Sequence, residues 1–263
     1  MSHAGTSETA VWAVVTRPAP DHTALIKGVE ALGLRSLHSP VCVIEPCPDR
    51  HQVLESLTDF DIVIVTSPVT ARFVVGARPF EILHPVTLIA PGAGTAAPLR
   101  AAGLAVSCPS GDGTSEAVLK LPELESIEGC KVAILGAPGG RMKIAAELER
   151  RGAHVQRMHL YRRRAIAPDP RLFSLLASAT PLVLLISSVQ IVESLAGAIP
   201  PEYFDHWRRA VFVVSSVRVE QSCRAHGLVR LIRAGGASAD ELLDGLKRAL
   251  VTLGNPKAIH ADG

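Results

Sequence analysis

The sequence predicts an α/β protein with two similar lobes, each a parallel sheet flanked by helices. One observation behind this prediction is that short β-branched runs alternate with segments of helical period that end in glycine. Another is that this pattern recurs along the chain at an offset of about 120 residues. The matched positions are Trp12 with Val132, Thr66 with Ser187, and Gly103 with Gly227. A regular offset over three strand–helix units indicates two related α/β lobes.

Each half of the sequence contains three predicted strand–helix units. In the first half, the first and third helices end at Gly33 and Gly103, because glycine readily adopts the left-handed conformation that closes a helix. The first-half strands are predicted at 11–16, 61–66 and 86–90. Their counterparts are a strand at 131–135 with a helix ending at Gly152, and strand–helix segments at 181–195 and 211–228.

Two extended segments interrupt this pattern. Residues 40–48 and 157–170 are flanked by proline and lack helical period. Because proline cannot donate to a central ladder, we interpret both as linkers or edge strands. Two crossings between the lobes would let the lobes hinge about a cleft.

The composition excludes several classes of protein. With 48% hydrophobic and 20% charged residues, the 263-residue chain has enough apolar material for a core, which excludes disordered and fibrous proteins. A formal charge of +2 and 4% aromatic residues argue against nucleic-acid binding. The five cysteines show no CxxC spacing, no apolar run reaches membrane-helix length, and the first residues lack a secretion signal. We therefore expect a cytoplasmic protein.

Small and hydroxyl residues follow the predicted strands, where open α/β sheets bind their ligands. Free backbone N–H groups at a helix start attract carboxylates and phosphates, so these strand ends would form an anion-binding surface along the cleft. Serine and threonine are also ordinary helix N-caps, and that alternative stays open. The candidate binding residues are Arg17, Thr66, Ser67, Gly94, Thr95, Gly139, Gly140, Ser187, Ser188 and Ser216.

Residues 92–97 match a loose form of the dinucleotide fingerprint, GxGxxA, with Asp112 further along the chain. A Rossmann-type NAD(P)-binding oxidoreductase is therefore an alternative function. The match is weak because the fingerprint usually follows the first strand of its unit, and here it follows the third. The sequence has no GxSxG elbow, no P-loop and no HExxH motif, and its histidines lack metal-ligand spacing.

The basic run 162–164 follows Tyr161, one of two tyrosines in the chain. The run is either a solvated linker face or a basic rim that attracts a polyanion. Tyr161 either covers a lobe as an amphipathic linker residue or donates a phenolic hydrogen bond into the cleft.

Several segments, taken in order, resemble one known family. These are the opening strand with Thr-Arg-Pro at 16–18, DIVIVTSPVTARFV at 61–74, GAGTAAPLRAAGLAV at 92–106, GTSEAVL at 113–119, GGRMKIAAELERRGAHVQRMHLYRR at 139–163, VVSSVRVEQSCRAHG at 213–227 and ASADELLDGL at 237–246. Their order and spacing resemble the uroporphyrinogen-III synthase family from about Val11 to Leu250. This chain departs from the family in two places: Leu135-Gly136-Ala137 stands where Leu-Arg-Gly is common, and Arg218-Val219 stands where some members have paired threonines.

The resemblance implies a cytoplasmic, monomeric lyase without cofactor or metal. It would close the linear polycarboxylate hydroxymethylbilane into uroporphyrinogen III, with inversion of ring D and loss of water, in haem, chlorophyll and cobalamin biosynthesis. It also implies a possible transient contact with hydroxymethylbilane synthase. By the same resemblance, Tyr161 is the catalytic tyrosine that assists loss of the substrate hydroxyl, and Thr95, Ser67 and Ser187 match cleft hydroxyl positions. Because the arginine is missing at position 136, a non-catalytic two-lobed ligand-binding protein is a further alternative.

The resemblance also implies a different division of the chain from the repeat. The repeat by itself suggests sequential halves. The family's arrangement instead combines residues 1–38 and 168–263 in lobe 1, with residues 49–157 as lobe 2. Linkers at 39–48 and 158–167 would then pair as a two-stranded ladder.

Overall fold

The structure is a computed structural model that describes residues 11–76, 86–110, 113–139 and 142–254. It divides into two compact units. Unit 1 combines the described residues up to Val43 with those from Arg164 onwards, and unit 2 is the continuous stretch from Ile44 to Arg163. The suggestion of sequential halves is therefore wrong, because unit 1 takes its strands from both ends of the chain.

The described strands are β1 (Trp12–Val15), β2 (Arg35–His38), β3 (Cys42–Pro46), β4 (Ile62–Val65), β5 (Thr87–Ile89), β6 (Val106–Ser107), β7 (Lys131–Gly136), β8 (His154–His159), β9 (Tyr161–Ala165), β10 (Leu182–Ile186), β11 (Val211–Val214) and β12 (Leu231–Arg233). The described α-helices are α1 (Thr23–Ala31), α2 (Arg50–Glu55), α3 (Pro68–Gly76), α4 (Ala93–Ala101), α5 (Ser115–Val118), α6 (Lys143–Arg150), α7 (Pro170–Ala177), α8 (Val189–Ala198), α9 (Phe204–Arg209), α10 (Val217–Ala225) and α11 (Ala239–Thr252). Short 3₁₀ turns lie at Ser56–Asp59, Pro122–Leu124 and Pro201–Tyr203.

Unit 1 contains a five-stranded sheet with the order β12-β11-β10-β1-β2. All of its pairings are parallel, and Val14 in the inner strand β1 lies between Leu184 of β10 and Leu37 of β2. The inner strands carry almost continuous apolar runs because helices cover both faces of the sheet. One core cluster lies on each face.

Unit 2 contains a second parallel sheet, with the order β6-β5-β4-β7-β8. Position by position it matches the sheet of unit 1, so that β4 corresponds to β10, β5 to β11 and β7 to β1. These are the strand equivalences that the sequence offset predicts. The predicted fold class, two similar lobes with parallel sheets, is confirmed.

A two-stranded antiparallel sheet joins β3 and β9, where the chain passes between the units. The amide of Cys47 donates to the Leu160 carbonyl at 3.0 Å, and the amide of Ile166 donates to the Val41 carbonyl at 3.0 Å. The predicted linker ladder is therefore present. Part of the segment 157–170 belongs elsewhere, because β8 extends to His159 as the last strand of the unit 2 sheet.

Helix ends follow the sequence prediction closely. Gly33 and Gly103 close α1 and α4 with φ of 71° and 87°, in the left-handed region that a side chain disfavours. No helix in the described ranges is both long and apolar enough to cross a membrane. All five cysteines are free thiols.

Candidate active site

The predicted binding residues follow the carboxyl ends of parallel strands in both units. In unit 1, Arg17 follows β1, Ser187 and Ser188 follow β10, and Ser216 follows β11. In unit 2, Thr66 and Ser67 follow β4, Gly94 and Thr95 lie in the first turn of α4 after β5, and Gly139 follows β7. Gly140 lies outside the described residues.

Two of the unit 1 serines cap helices. The Ser188 hydroxyl accepts from the Ile191 amide at 3.4 Å at the start of α8, and the Ser216 hydroxyl accepts from the Val219 amide at 3.4 Å at the start of α10. Both serines are therefore helix N-caps, which is the alternative that the sequence left open for these positions. Ser187 differs, because its half-buried hydroxyl has no hydrogen-bond partner among the described residues. It is therefore available to a ligand.

Arg17 lies beside a pair of histidines at the same edge of unit 1. Its guanidinium donates to the Ala237 carbonyl, and its own carbonyl lies 2.8 Å from Nε2 of His38. The ring of His38 stacks on that of His22, with centroids 3.9 Å apart. Burial lowers the pKa of His22, and the neighbouring His38 lowers it further. The lowered pKa disfavours the charged form of His22.

In unit 2 the Thr66 side chain has a structural partner. Its Oγ1 donates to the Leu135 carbonyl at 2.7 Å and joins the ends of β4 and β7. A Cβ on Gly136 would lie 2.7 Å from this oxygen, so the position has no room for a side chain. The structure thus gives a local reason for glycine at the position where the family commonly has arginine.

Gly94 and Thr95 differ in how accessible they are to a ligand. Gly94 is exposed and lies in the first turn of α4, where backbone amides have no intrahelical acceptor, so its amide is open to a ligand. Thr95 is 4% exposed and packs inward. Gly139 is exposed, with a φ of 80°.

Tyr161 is buried in the core of unit 2. It is 1% exposed, and its ring stacks on Phe73 of α3 with centroids 5.5 Å apart and planes at 7°. This placement agrees with the interpretation of Tyr161 as a residue that covers a lobe. Tyr161 is the first residue of β9, and its ring belongs to one of the core clusters of unit 2. The ring is therefore more deeply buried than a linker position implies.

The hydroxyl of Tyr161 has two partners in the described structure. It lies 3.2 Å from Oγ of Ser67, and Arg163 donates to it at 3.4 Å while its guanidinium carbon lies 5.5 Å from the ring centre. Ser67 in turn contacts Thr70, with its Oγ 2.8 Å from Oγ1 of Thr70 and 3.1 Å from the Thr70 amide. The structure therefore joins two predicted residues, Ser67 and Tyr161, which lie far apart in sequence.

Three residues of this cluster were not among the predicted site residues: Thr70, Phe73 and Arg163. For Thr70 and Arg163, the spacing in the sequence could have indicated a contact with the predicted residues. Thr70 stands three residues after a helix-start serine, and Arg163 stands two residues after Tyr161, on the same face of an extended strand. The stacking of Phe73 on Tyr161 depends on long-range packing and had no local signal.

The dinucleotide alternative is not supported by this geometry. The segment 92–97 follows β5, which is not the first strand of its unit, and Asp112 lies outside the described residues. In a dinucleotide fold the third fingerprint position packs a helix closely against a strand. Here that position, Ala97, is exposed.

Each unit supplies hydrogen-bonding groups for polar chemistry. In unit 2, the Tyr161 phenol is a hydrogen-bond donor and acceptor, and the free amides in the first turn of α4 can contact an anionic carboxylate. In unit 1, the free hydroxyl of Ser187 can contact a carboxylate in the same way. In the described ranges, no three His, Cys, Asp or Glu side chains cluster as a metal site.

Comparison with known proteins identifies one family. The family model described as uroporphyrinogen-III synthase HemD matches residues 23–244. A uroporphyrinogen-III synthase from Escherichia coli (strain K12) is 29% identical over 245 residues, spanning 89% of this chain and 99% of the relative. One from Salmonella typhimurium (strain LT2) is also 29% identical, over 258 residues and with the same coverage.

Solved structures with the same name share the fold. A mutant uroporphyrinogen III synthase from the extremely thermophilic bacterium Thermus thermophilus covers 92% of this chain and all of its own, with a TM-score of 0.63 and 23% identity. The uroporphyrinogen-III synthetase of Helicobacter pylori 26695 covers 90% of this chain and 98% of its own, with a TM-score of 0.59 and 15% identity.

Proposed function

The chain belongs to the uroporphyrinogen-III synthase family and is an enzyme of tetrapyrrole biosynthesis, and from this premise we propose how its residues act. The substrate of the family is hydroxymethylbilane, a linear tetrapyrrole with eight carboxylates, and the reaction closes it with inversion of ring D and loss of water. The dinucleotide-binding and non-catalytic alternatives are not favoured.

The proposed catalytic residue is Tyr161. Its phenol donates a hydrogen bond, or the proton itself, to the hydroxyl that leaves as water. The resulting azafulvene is attacked by the substituted carbon of ring D to give a spiro intermediate, which fragments and recloses with the ring inverted. The last closure releases a proton, so the net products are the macrocycle and water. The observation that supports this role is the Tyr161 hydroxyl fixed between Ser67 and Arg163.

Substrate carboxylates are proposed to bind at helix starts. In unit 1, α8 and α10 begin directly after parallel strands, with the free Ser187 hydroxyl beside the first of them. In unit 2, the first turn of α4 contains the exposed Gly94. Backbone N–H groups and the helix dipole favour a carboxylate at such positions. The proposal needs no protein nucleophile, because holding the two chain ends in a reactive orientation supplies much of the catalysis.

The proposed setting is a cytoplasmic monomer. Five free thiols are typical of a reducing compartment. A transient contact with hydroxymethylbilane synthase would shorten the time in which free hydroxymethylbilane closes spontaneously without inversion.

The test is the isomer formed from hydroxymethylbilane without added cofactor. After oxidation, chromatography separates uroporphyrin III from uroporphyrin I. The protein is expected to give type III, whereas a reaction without protein gives type I. Type I alone would contradict the proposal. Adding NAD is expected to change neither the rate nor the isomer, and a dependence on NAD would favour the dinucleotide alternative.

A further inference from the structure

The Tyr161 phenol ends a row of three hydroxyl groups. Oγ1 of Thr70 lies 2.8 Å from Oγ of Ser67, which lies 3.2 Å from the Tyr161 hydroxyl. On its other side, the phenol oxygen is 3.4 Å from a guanidinium nitrogen of Arg163. A row of hydroxyls can in principle point its protons either way, so the direction decides whether the phenol proton is free.

The Thr70 end of the row has one available direction. Thr70 is fully buried, and Oγ of Ser67 is the one hydrogen-bond partner of its hydroxyl among the described residues. One end of the row must leave an O–H group without an acceptor, and this costs least at the Tyr161 end, which adjoins the exposed Arg163. The Thr70 hydroxyl therefore donates to Ser67. The Thr70 amide also donates to the same oxygen, at 3.1 Å. Both lone pairs of the Ser67 oxygen are then occupied.

The direction passes from Ser67 to Tyr161. With both lone pairs filled, the Ser67 hydroxyl has only its proton left to offer, and the Tyr161 oxygen lies within reach of it. Arg163 can only donate, so it fills the second lone pair of the phenol oxygen. The Tyr161 proton is then the one group in the row without a protein acceptor among the residues that the structure describes.

We infer that Thr70 and Arg163 are positioning residues that direct the row of hydroxyls so that the Tyr161 proton is left for the leaving hydroxyl of the substrate. This inference rests on the proposed role of Tyr161. The cationic guanidinium has a second effect, because it stabilises the negative charge that develops on the phenol oxygen while the proton is transferred. When ring closure releases a proton, the phenol regains it and the row returns to its starting state.

The neighbouring arginine provides a matched comparison. Side chains alternate across an extended strand, so Arg163 shares the face of Tyr161 and Arg162 lies on the other face. Arg162 pairs with Glu45 there, at 3.0 Å. The two arginines carry the same charge and both are exposed, but Arg163 is the one that donates to the phenol.

The first experiment replaces the Thr70 hydroxyl. In Thr70→Val, one lone pair of Ser67 is freed and can accept the Tyr161 proton, so kcat is expected to fall about 5- to 10-fold with KM little changed. Thr70→Ser restores the hydroxyl and is expected to restore kcat. An unchanged kcat in Thr70→Val overturns the inference, as does a Thr70→Ser variant as slow as Thr70→Val.

The second experiment changes the surface end of the row and needs no buried substitution. Arg163→Gln is expected to lower kcat about tenfold while Arg162→Gln leaves it unchanged.

In a Tyr161→Phe background, neither Thr70→Val nor Arg163→Gln should slow the enzyme further, because groups that act through one hydroxyl are not additive. Full additivity, or a KM effect of Arg163→Gln that persists without the phenol, overturns the inference. A Tyr161→Phe enzyme at the normal rate would instead contradict the proposed role of Tyr161.

Discussion

The ring and the hydroxyl of Tyr161 have separable tasks. The ring packs on Phe73 in the core of unit 2, and the hydroxyl contacts Ser67 and Arg163. Replacing tyrosine by phenylalanine keeps the packing and removes the hydroxyl, whereas replacing it by alanine removes both.

Tyr161→Phe is expected to lower kcat by about 100-fold, the lower end of what general acid–base groups contribute. Tyr161→Ala is expected to cost in addition about 3–5 kcal/mol of unfolding free energy, since it empties a buried aromatic site. Steady-state kinetics and urea unfolding measure the two effects. A phenylalanine variant that makes the type III isomer at the normal rate would contradict the catalytic role and leave the family assignment intact.

Gly136 is a second position where a change of one atom, the added Cβ of alanine, is expected to affect the protein. Gly136→Ala places a Cβ against Oγ1 of Thr66 and breaks the contact of that oxygen with the Leu135 carbonyl. We expect a loss of about 1–3 kcal/mol in unfolding free energy, measured by urea unfolding. Gly197→Ala is the control, because that exposed helical glycine has nothing within 4 Å of its added Cβ and should gain up to about 1 kcal/mol. Equal stability of the two variants would contradict the steric account.

At the scale of elements, the strands that were not predicted from the sequence lie at the sheet edges. The inner strands β1, β4, β10 and β11 are continuous apolar runs and are readily predicted. The edge strands β2, β6 and β12 were not predicted, and the extended segment predicted at 157–170 covers only the second half of β8. Edge strands are short and part-exposed, so their sequences, such as RSLH in β2, lack the buried pattern that a prediction needs.

One carboxylate of helix α6 links the end of the helix to a neighbouring segment. Glu147 accepts from Arg150 at 2.7 Å and from Arg151 at 2.9 Å. Arg151 also donates to the carbonyls of Leu119 and Leu124, so it joins α6 to the segment that follows α5. The hydrogen bonds from Arg150 and Arg151 lower the pKa of Glu147 from 4.5 to about 2.

This pKa predicts an acid-dependent stability. Because the folded-state pKa lies below the usual value, the stabilisation is complete above pH 4.5 and is lost as the pH falls through about 2. Glu147→Gln should therefore lower the Tm at pH 7, and the difference from the unmodified protein should shrink between pH 4.5 and 2. Calorimetry across that range measures it. Glu149→Gln, on the exposed face of the same helix, should shift the Tm little at any pH, and a constant difference for Glu147→Gln would contradict the prediction.

At the scale of the whole molecule, the repeat identified equivalent strands but could not identify strands that share a sheet. It matched β1 with β7 and β4 with β10, and both pairs occupy equivalent positions in their sheets. The division into units depends instead on β1 pairing with β10. Such a pairing is set by tertiary packing and leaves no local pattern, which is also why the contact of Ser67 with Tyr161 appeared only in the structure.

The interrupted course of unit 1 has a consequence for synthesis on the ribosome. Its inner strand β1 is made early, but the neighbouring strand β10 follows about 170 residues later. Until then one edge of β1 has no partner, while unit 2 is made as one uninterrupted stretch. We therefore expect the middle of a nascent chain to resist protease first, and the amino-terminal strands only after β10 and β11 have emerged. Limited proteolysis of stalled chains measures this order, and early protection of β1 would contradict it. A newly made chain thus passes through a stage in which a strand edge is open to pairing with another chain.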